Sequence, residues 1–464
     1  MSYTHTTLGT LKSQLASRLG DSGKVFWPDA ELGRYLTEAL RTWGSLSAFW
    51  RERGTFATAA PTAFYSLQTQ VSGLLGYTVT DRSVISDLLD HLMEPPITDW
   101  AVYPGTEMFT LDDLTRAVER RRDQFLAETG VVLTRHDVSI TPAGRVSLPD
   151  TVIDVRRLVW RSAAGVNSHL WREDEWALTA ATRGLWAVNP GTPAAYSVMA
   201  TQPVQVQLAP VPMDAGTLDL ISVSTGADLD PATSATVLGI PDDLAWVVKC
   251  GALADLLGRD GPASDPVRSV FAESRYQQGV QIARMLASVV MAEINGVPLV
   301  SDSLQSLDSA RVNWQNTTAT TPTTVALAGL NLLALHPTPD AAYGVTLDVV
   351  RNAPVPVADT DYVEVGREQL DAILDYAAHL ASFKMGGQEF DVTIREADNF
   401  LRQAMTYNER LAAAARYVVP SRDQARGEEK RRPRRDSAQG LGALPPATPR
   451  TTPSPYLPVE LVER

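Results

Sequence analysis

Cysteine is almost missing from this chain: Cys250 is the only one in 464 residues. No intrachain disulfide can form, which fits a reducing compartment, and zinc sites built on several thiolates are excluded. Cys250 stands in a helical pattern beside Val247 and Val248, where a buried small apolar side chain is expected rather than a nucleophile. Histidine is scarce too, and none of His5, His91, His136, His169, His336 and His379 forms His-Glu-x-x-His. No apolar run approaches the ~18 residues of a membrane span. The N-terminus lacks a basic start followed by an apolar block, so no signal peptide is read. A P-loop, a dinucleotide fingerprint and a Gly-x-Ser-x-Gly elbow are all absent. The expectation is a chain with no catalytic residue, no cofactor and no metal site.

What charge there is leans acidic, with a formal net of −13. Such a surface repels a polyanion, which argues against tight nucleic-acid binding while suiting a wall past which DNA slides. The acids cluster at Asp90-His91-Glu94, Asp228 with Asp230, Asp242-Asp243, and Asp359 with Asp361. Asp90 and Glu94 at i, i+4 would share a helix face, but no further metal ligand is identified. Asp242 and Asp243 follow Pro241 into a helix's first turn, where they complement the macrodipole. The other two pairs read as turn formers. His379, in a helix with Leu374 and Ala377, is expected exposed or capped.

Apolar spacing predicts helices over 8–19 and 29–43, the second opened by Trp27-Pro28-Asp29. Thr110 and Asp113 have capping-box spacing ahead of a helix over 111–126. A short strand is expected at 64–67, and strands near 137–140 and at 146–149 open a β domain spanning about 137–225. Helices over 242–257 and 266–291 follow. Leu32 and Leu114 lie 82 apart, Leu67 and Leu148 81, which hints at a helix–strand repeat.

A stronger repeat lies downstream. Thr192-Pro193, Leu208-x-Pro210-x-Pro212 and Leu218-Asp219-Leu220 recur as Thr321-Pro322, Leu335-x-Pro337-x-Pro339 and Leu347-Asp348-Val349, with offsets of 127 to 129. Each block leads into paired helices, the second pair over 370–381 and 390–411. Proline cannot donate to a ladder, so each Leu-x-Pro-x-Pro should end a strand. The fold class expected is α+β: a helical bundle with small antiparallel β domains, a duplicated strand–helix module and an extended C-terminal arm. The domains are drawn at 1–312 (core), 313–419 (second copy of the module) and 420–464 (arm).

The arm is rich in charge, then in Pro, Thr and Ala, and cannot bury enough apolar surface to fold alone. Its basic run, taken alone, reads as solvated, and Tyr456-Leu457-Pro458 and Leu461 offer apolar anchors beyond it. The candidate partner-binding residues are therefore Arg431, Arg432, Arg434, Arg435, Tyr456, Leu457 and Leu461.

Several motifs in order resemble the head-to-tail adaptor (connector) proteins of tailed phages. They are the Thr-Leu helix, Trp27-Pro28-Asp29-Ala30-Glu31-Leu32, Tyr35-Leu36-Thr37-Glu38-Ala39, Trp50-Arg51, Leu148-Pro149-Asp150, Thr192-Pro193-x-x-Tyr196 and Ile240-Pro241-Asp242. The resemblance covers 7–291, and its last part recurs at 321–411. It implies a non-enzymatic virion protein, made in the host cytoplasm, that forms a dodecameric ring of itself. That ring joins the portal protein to tail tube or tail hub proteins, lines the DNA exit channel without reading sequence, and touches no membrane. It also implies a C-terminal extension gripping the portal. Typical adaptors are much shorter, so the second module is extra. The alternatives are another neck, collar or fibre-attachment ring component, a repeat-built binding module, and a soluble carboxylate-type hydrolase.

Overall fold

The leucine stripe that opens the chain becomes α1 (Leu8–Arg18) in a computed structural model describing residues 5–417, apart from 103–107, 143, 202, 287, 311–313 and 317–318. The N-cap Thr7 side chain accepts from Thr10 N. Next come α2 (Asp29–Ser47), β1 (Arg51–Ala57) and β2 (Phe64–Ser66). The chain continues through α3 (Asp81–Leu92) and α4 (Leu111–Thr129), the latter opened by the expected capping box of Thr110 and Asp113. Seven strands follow: β3 (Thr134–Ile140), β4 (Arg145–Ser147), β5 (Val152–Ser162), β6 (Asn167–Arg172), β7 (Ala195–Met199), β8 (Gln205–Ala209) and β9 (Gly216–Ser224). Then come α5 (Ala245–Leu257) and α6 (Pro266–Met285). The last third holds β10 (Val289–Ile294), β11 (Val297–Pro298), β12 (Val300–Ser303), β13 (Thr324–Ala328), β14 (Leu332–His336) and β15 (Gly344–Val350). It ends in α7 (Arg367–Ser382) and α8 (Gly387–Tyr417).

The fold is α+β. One sheet has the order β3-β9-β5-β6-β7-β8-β4, and two four-stranded sheets run β1-β15-β10-β11 and β12-β13-β14-β2. Most pairings are antiparallel, but β6 with β7 and β12 with β13 are parallel. The prolines of each Leu-x-Pro-x-Pro do end their strands: β8 stops at Ala209 and β14 at His336.

The apolar spacing pays off in packing. Leu32, Leu36, Ala39 and Leu40 of α2 join Leu114, Val118 and Phe125 of α4, Val247, Val248 and Ala252 of α5, and Ile373 and Ala377 of α7 in one buried helical core. A second core lies on the sheets holding β10 and β13 to β15, around Val345, Leu347 and Val349. A third, around Leu158, Leu208 and Leu218, lies on the seven-stranded sheet. Elements distant in sequence are interleaved: β15 lies between β1 and β10, and α7 packs on α1 and α2.

Three expectations need correction. The helix expected over 266–291 ends at Met285, where Leu286 turns extended (ψ 148), and Val289 and Val290 enter β10. Both are β-branched and suit a pleated surface. Arg51–Ala57, where no strand is expected, is a full strand because β15 offers it a partner over seven residues. Helix α3, expected only as a face carrying Asp90 and Glu94, begins at Asp81 and ends at Leu92. Residues Met1–Tyr407 form one compact unit; a second begins at Asn408, of which the helix to Tyr417 is described. The arm over 420–464 lies outside the described residues.

Candidate functional site

Helix α2 presents Arg34, Glu38 and Arg41 at i, i+4 and i+7, a single face. That face lies against α3 and the start of α5. Arg34 reaches Asp87 (3.1 Å) and Asp90 on α3, and Glu38 pairs with Lys249 on α5, both buried. One turn earlier, Glu31 accepts from Tyr35 Oη (2.6 Å) and Lys384 Nζ (3.0 Å). Between the helices is a cleft of about 440 Å³ lined by Arg34, Glu38, Arg41, Thr80, Asp87 and Lys249. Burial pushes the Asp87 carboxyl up to about 6, against the pull of Lys249 and Arg34. A carboxyl in that range meets one requirement of a general acid. Here it is committed to an arginine, so the cleft holds matched charges and works as a polar clamp between helices.

The clamp continues through the turn before α5. Asp242 accepts from Thr78 N (2.6 Å), Val79 N (2.8 Å) and Thr78 Oγ1 (2.7 Å), fixing the segment that enters α3. Asp243 accepts from Ala353 N at 3.2 Å, and burial pushes its carboxyl up to about 7 although Arg41 opposes this. The two acids expected to complement a helix macrodipole do stand in the turn that leads into α5, but they are buried and bind other segments of chain.

A second buried polar group lies between the sheets. Arg157 on β5 donates Nε and Nη2 to Asp308 at 2.6 and 2.7 Å, and Trp314 Nε1 donates to the same carboxylate at 2.7 Å. Asp219, wholly buried on β9, accepts from Arg135 Nε at 2.7 Å.

The remaining residues singled out in sequence are dispersed. Helix α3 ends at Leu92 with Met93 left-handed, so Glu94 lies beyond the helix face that carries Asp90. His91 is buried, its Nδ1 2.7 Å from Asp87 O, and burial holds it well below the usual histidine range. His379 is buried rather than exposed. It stacks on Phe390, its Nδ1 lies 2.9 Å from Thr393 Oγ1, and burial lowers it to about 3. Cys250 is buried, its thiol pushed up to about 11 by burial. The two loop pairs do form turns: Asp361 accepts from Val357 N and Ala358 N, and Asp230 O from Thr233 N. Among the described residues no three His, Cys, Asp or Glu side chains are grouped as metal ligands. Arg431, Arg432, Arg434, Arg435, Tyr456, Leu457 and Leu461 lie outside the described residues.

Sequence reasoning missed Asp87, Lys249 and Asp308. A signal existed for Asp87: Thr80 caps a helix whose stripe is Val84, Ile85, Leu88 and Leu89, and Asp87 lies on the neighbouring face. Nothing local marked Asp308, whose arginine partner lies 151 residues away.

The family model described as SU10 adaptor protein matches residues 286–436, about a third of the chain. The match covers β10 through α8 and continues past the described residues. No curated protein matches the chain. The matched segment supports a phage structural, adaptor-like role, and so a virion component rather than an enzyme.

Proposed function

We propose that this chain forms the ring that joins the portal vertex of a tailed phage to its tail and lines the channel through which DNA leaves. The adaptor-family match over 286–436 carries the reading. The motifs around Trp27-Pro28-Asp29 and Ile240-Pro241-Asp242 extend the likeness outside the matched segment. A chain with a net charge of −13 suits a conduit that DNA must cross without adhering. Its partners are the portal protein, tail tube or hub proteins and further copies of itself. The basic run of Arg431, Arg432, Arg434 and Arg435, with Tyr456, Leu457 and Leu461, supplies the grip on the portal.

Co-expression with the portal protein of the same phage tests this. Electron microscopy of the purified complex should show a ring of this chain seated on the portal. Deleting 422–464 should weaken that binding while the far-ultraviolet circular dichroism of the rest is retained. A chain that never co-purifies with portal would overturn the reading.

A further inference from the structure

The two parts of the chain are the same architecture twice, one nested inside the other. Strand order in the seven-stranded sheet is β3-β9-β5-β6-β7-β8-β4. The two four-stranded sheets placed end to end read β1-β15-β10-β11/β12-β13-β14-β2. Taking β11 and β12 together as the counterpart of β6, every neighbouring pair has the same sense. The parallel pair falls at the same place, β6 with β7 and β12 with β13.

The helices agree as well. Helices α2 and α4 have 19 residues each, and the strands after them, β1 and β3, have seven each. Helix α1 packs on α2 and α7 as α3 packs on α4 and α5. Even the entry to the first helix repeats. Thr7 and Thr80 are N-caps that bridge Tyr362 and Val237, and Leu8 N and Asp81 N each donate at 2.9 Å, to Asp361 O and Thr236 O. The inner copy runs from Thr80 to Met285, inserted between β2 and β10 of the outer copy. Shared composition does not produce six matched strand pairings.

The copies meet through a contact that is not symmetric. The outer copy's α2 lies on the inner copy's α3 and α5, through Arg34 with Asp87 and Asp90 and through Glu38 with Lys249. The same offset that carries Leu32 to Leu114 carries Arg34 to Arg116 and Glu38 to Arg120 on α4. Those two side chains pair with Asp112 and Asp255 yet remain 77% and 65% exposed, so the inner copy's version of this face is uncovered. At the opposite end, α7 is the counterpart of α5. Every residue of α5 before Asp255 is buried, whereas α7 exposes Glu368 and Asp371 with Asp375 beside them; Arg18 of α1 pairs with both aspartates. On the α4 face the charge has switched at one position, Glu38 to Arg120, while Arg34 and Arg116 are both arginine. Where the internal contact sets Glu38 against Lys249, the open α4 face offers arginine and the open α7 face offers aspartate.

We infer that a second copy of this chain docks the Arg116 and Arg120 face of its α4 on the Asp371 and Asp375 face of α7, repeating between chains the contact made within each. An interface that joins two different faces propagates head to tail and closes into a ring when the rotation allows. Each chain then fills two adjacent, equivalent positions, and a ring has twice as many positions as chains. Only the closure into a ring rests on the adaptor reading.

Two reversal variants of the full chain test it: Arg116→Glu with Arg120→Glu, and Asp371→Arg with Asp375→Arg. Mass photometry is run on each alone, on the equimolar mixture and on the wild type, with and without portal protein. Each variant alone should need a concentration more than about tenfold higher to assemble, because like charges then face each other. The mixture should recover assembly with the two chains alternating, which also shows that both are folded. Variants that assemble like the wild type, a mixture that does not recover, or a wild type monomeric both alone and with portal would overturn the inference. Assembly without portal binding would instead count against the adaptor reading alone. Portal-bound rings indifferent to both reversals would count against the docking face alone.

Discussion

Arg157 and Asp308 meet through two hydrogen bonds of 2.6 and 2.7 Å, although 151 residues separate them and both side chains are at least nine-tenths buried. The pair ties β5 to the short helix Leu304–Ala310. Removing one partner strands a buried charge, whereas replacing both with apolar groups removes the desolvation cost as well. Asp308→Ala should therefore cost about 3–5 kcal/mol, read from urea denaturation followed by tryptophan fluorescence. Arg157→Met combined with Asp308→Leu should recover more than half of that loss. A loss below about 1 kcal/mol for Asp308→Ala would mean that water reaches the site.

Gly279 of α6 packs directly against Val247 and Trp246 of α5. A Cβ there would lie 2.7 Å from Val247 Cγ1, nearer still to Cγ2, and 3.0 Å from the Trp246 ring. Overpacking of this kind costs about 1–3 kcal/mol. Gly279→Ala should lower the melting temperature, and Val247→Ala in the same chain should restore part of it by vacating the volume. Independent losses that simply add would show that the two residues do not compete for space.

His379 and His91 should make the fold sensitive to mild acid. Burial holds both below the ordinary histidine value, His379 at about 3. Above pH ~6.5 both are neutral folded or unfolded and contribute nothing to a pH slope. Below it the unfolded chain gains protons that the folded chain refuses, so stability falls, by about 1 kcal/mol per pH unit per histidine, down to the folded value. His379→Asn keeps a polar partner for Thr393 without titrating. Its stability difference from the wild type should shift in its favour between pH 6.5 and 4 and stay constant above pH 7. A difference that does not change with pH would refute the buried-neutral assignment.

Much of the framework was legible from periodicity. The stripes of α1, α2 and α4, the capping box at Thr110 and the strand ends at Pro210 and Pro337 are local, and local spacing reveals them. The partnerships were not. Strand β1 exists because β15 pairs with it from nearly three hundred residues away, and Glu38 owes its environment to Lys249. The repeat offset of 82 between Leu32 and Leu114 was visible in the residues. The strand order common to the seven-stranded sheet and the two four-stranded sheets follows only from strand pairing, over distances that no motif spans. The features that could bear function are mostly long-range pairs of this kind, which is why composition and motif spacing passed over them.

Asp243 should show the opposite pH behaviour to His379. Its carboxyl is buried where Ala353 N donates to it, and it is pushed up to about 7, well above its value of about 3.9 in an unfolded chain. A raised carboxyl penalises the folded state once it is ionised. The penalty is therefore full above pH 7 and fades as pH falls towards 4, by about 1 kcal/mol per pH unit. Asn at this position still accepts from Ala353 N but never ionises. Asp243→Asn should thus gain stability relative to the wild type as pH rises from 5 to 8. Urea denaturation at four pH values across that window would show it. If the advantage shrank with rising pH, Asp243 would have to be an ionised partner of Arg41, and the α2 seam would be held by that ion pair.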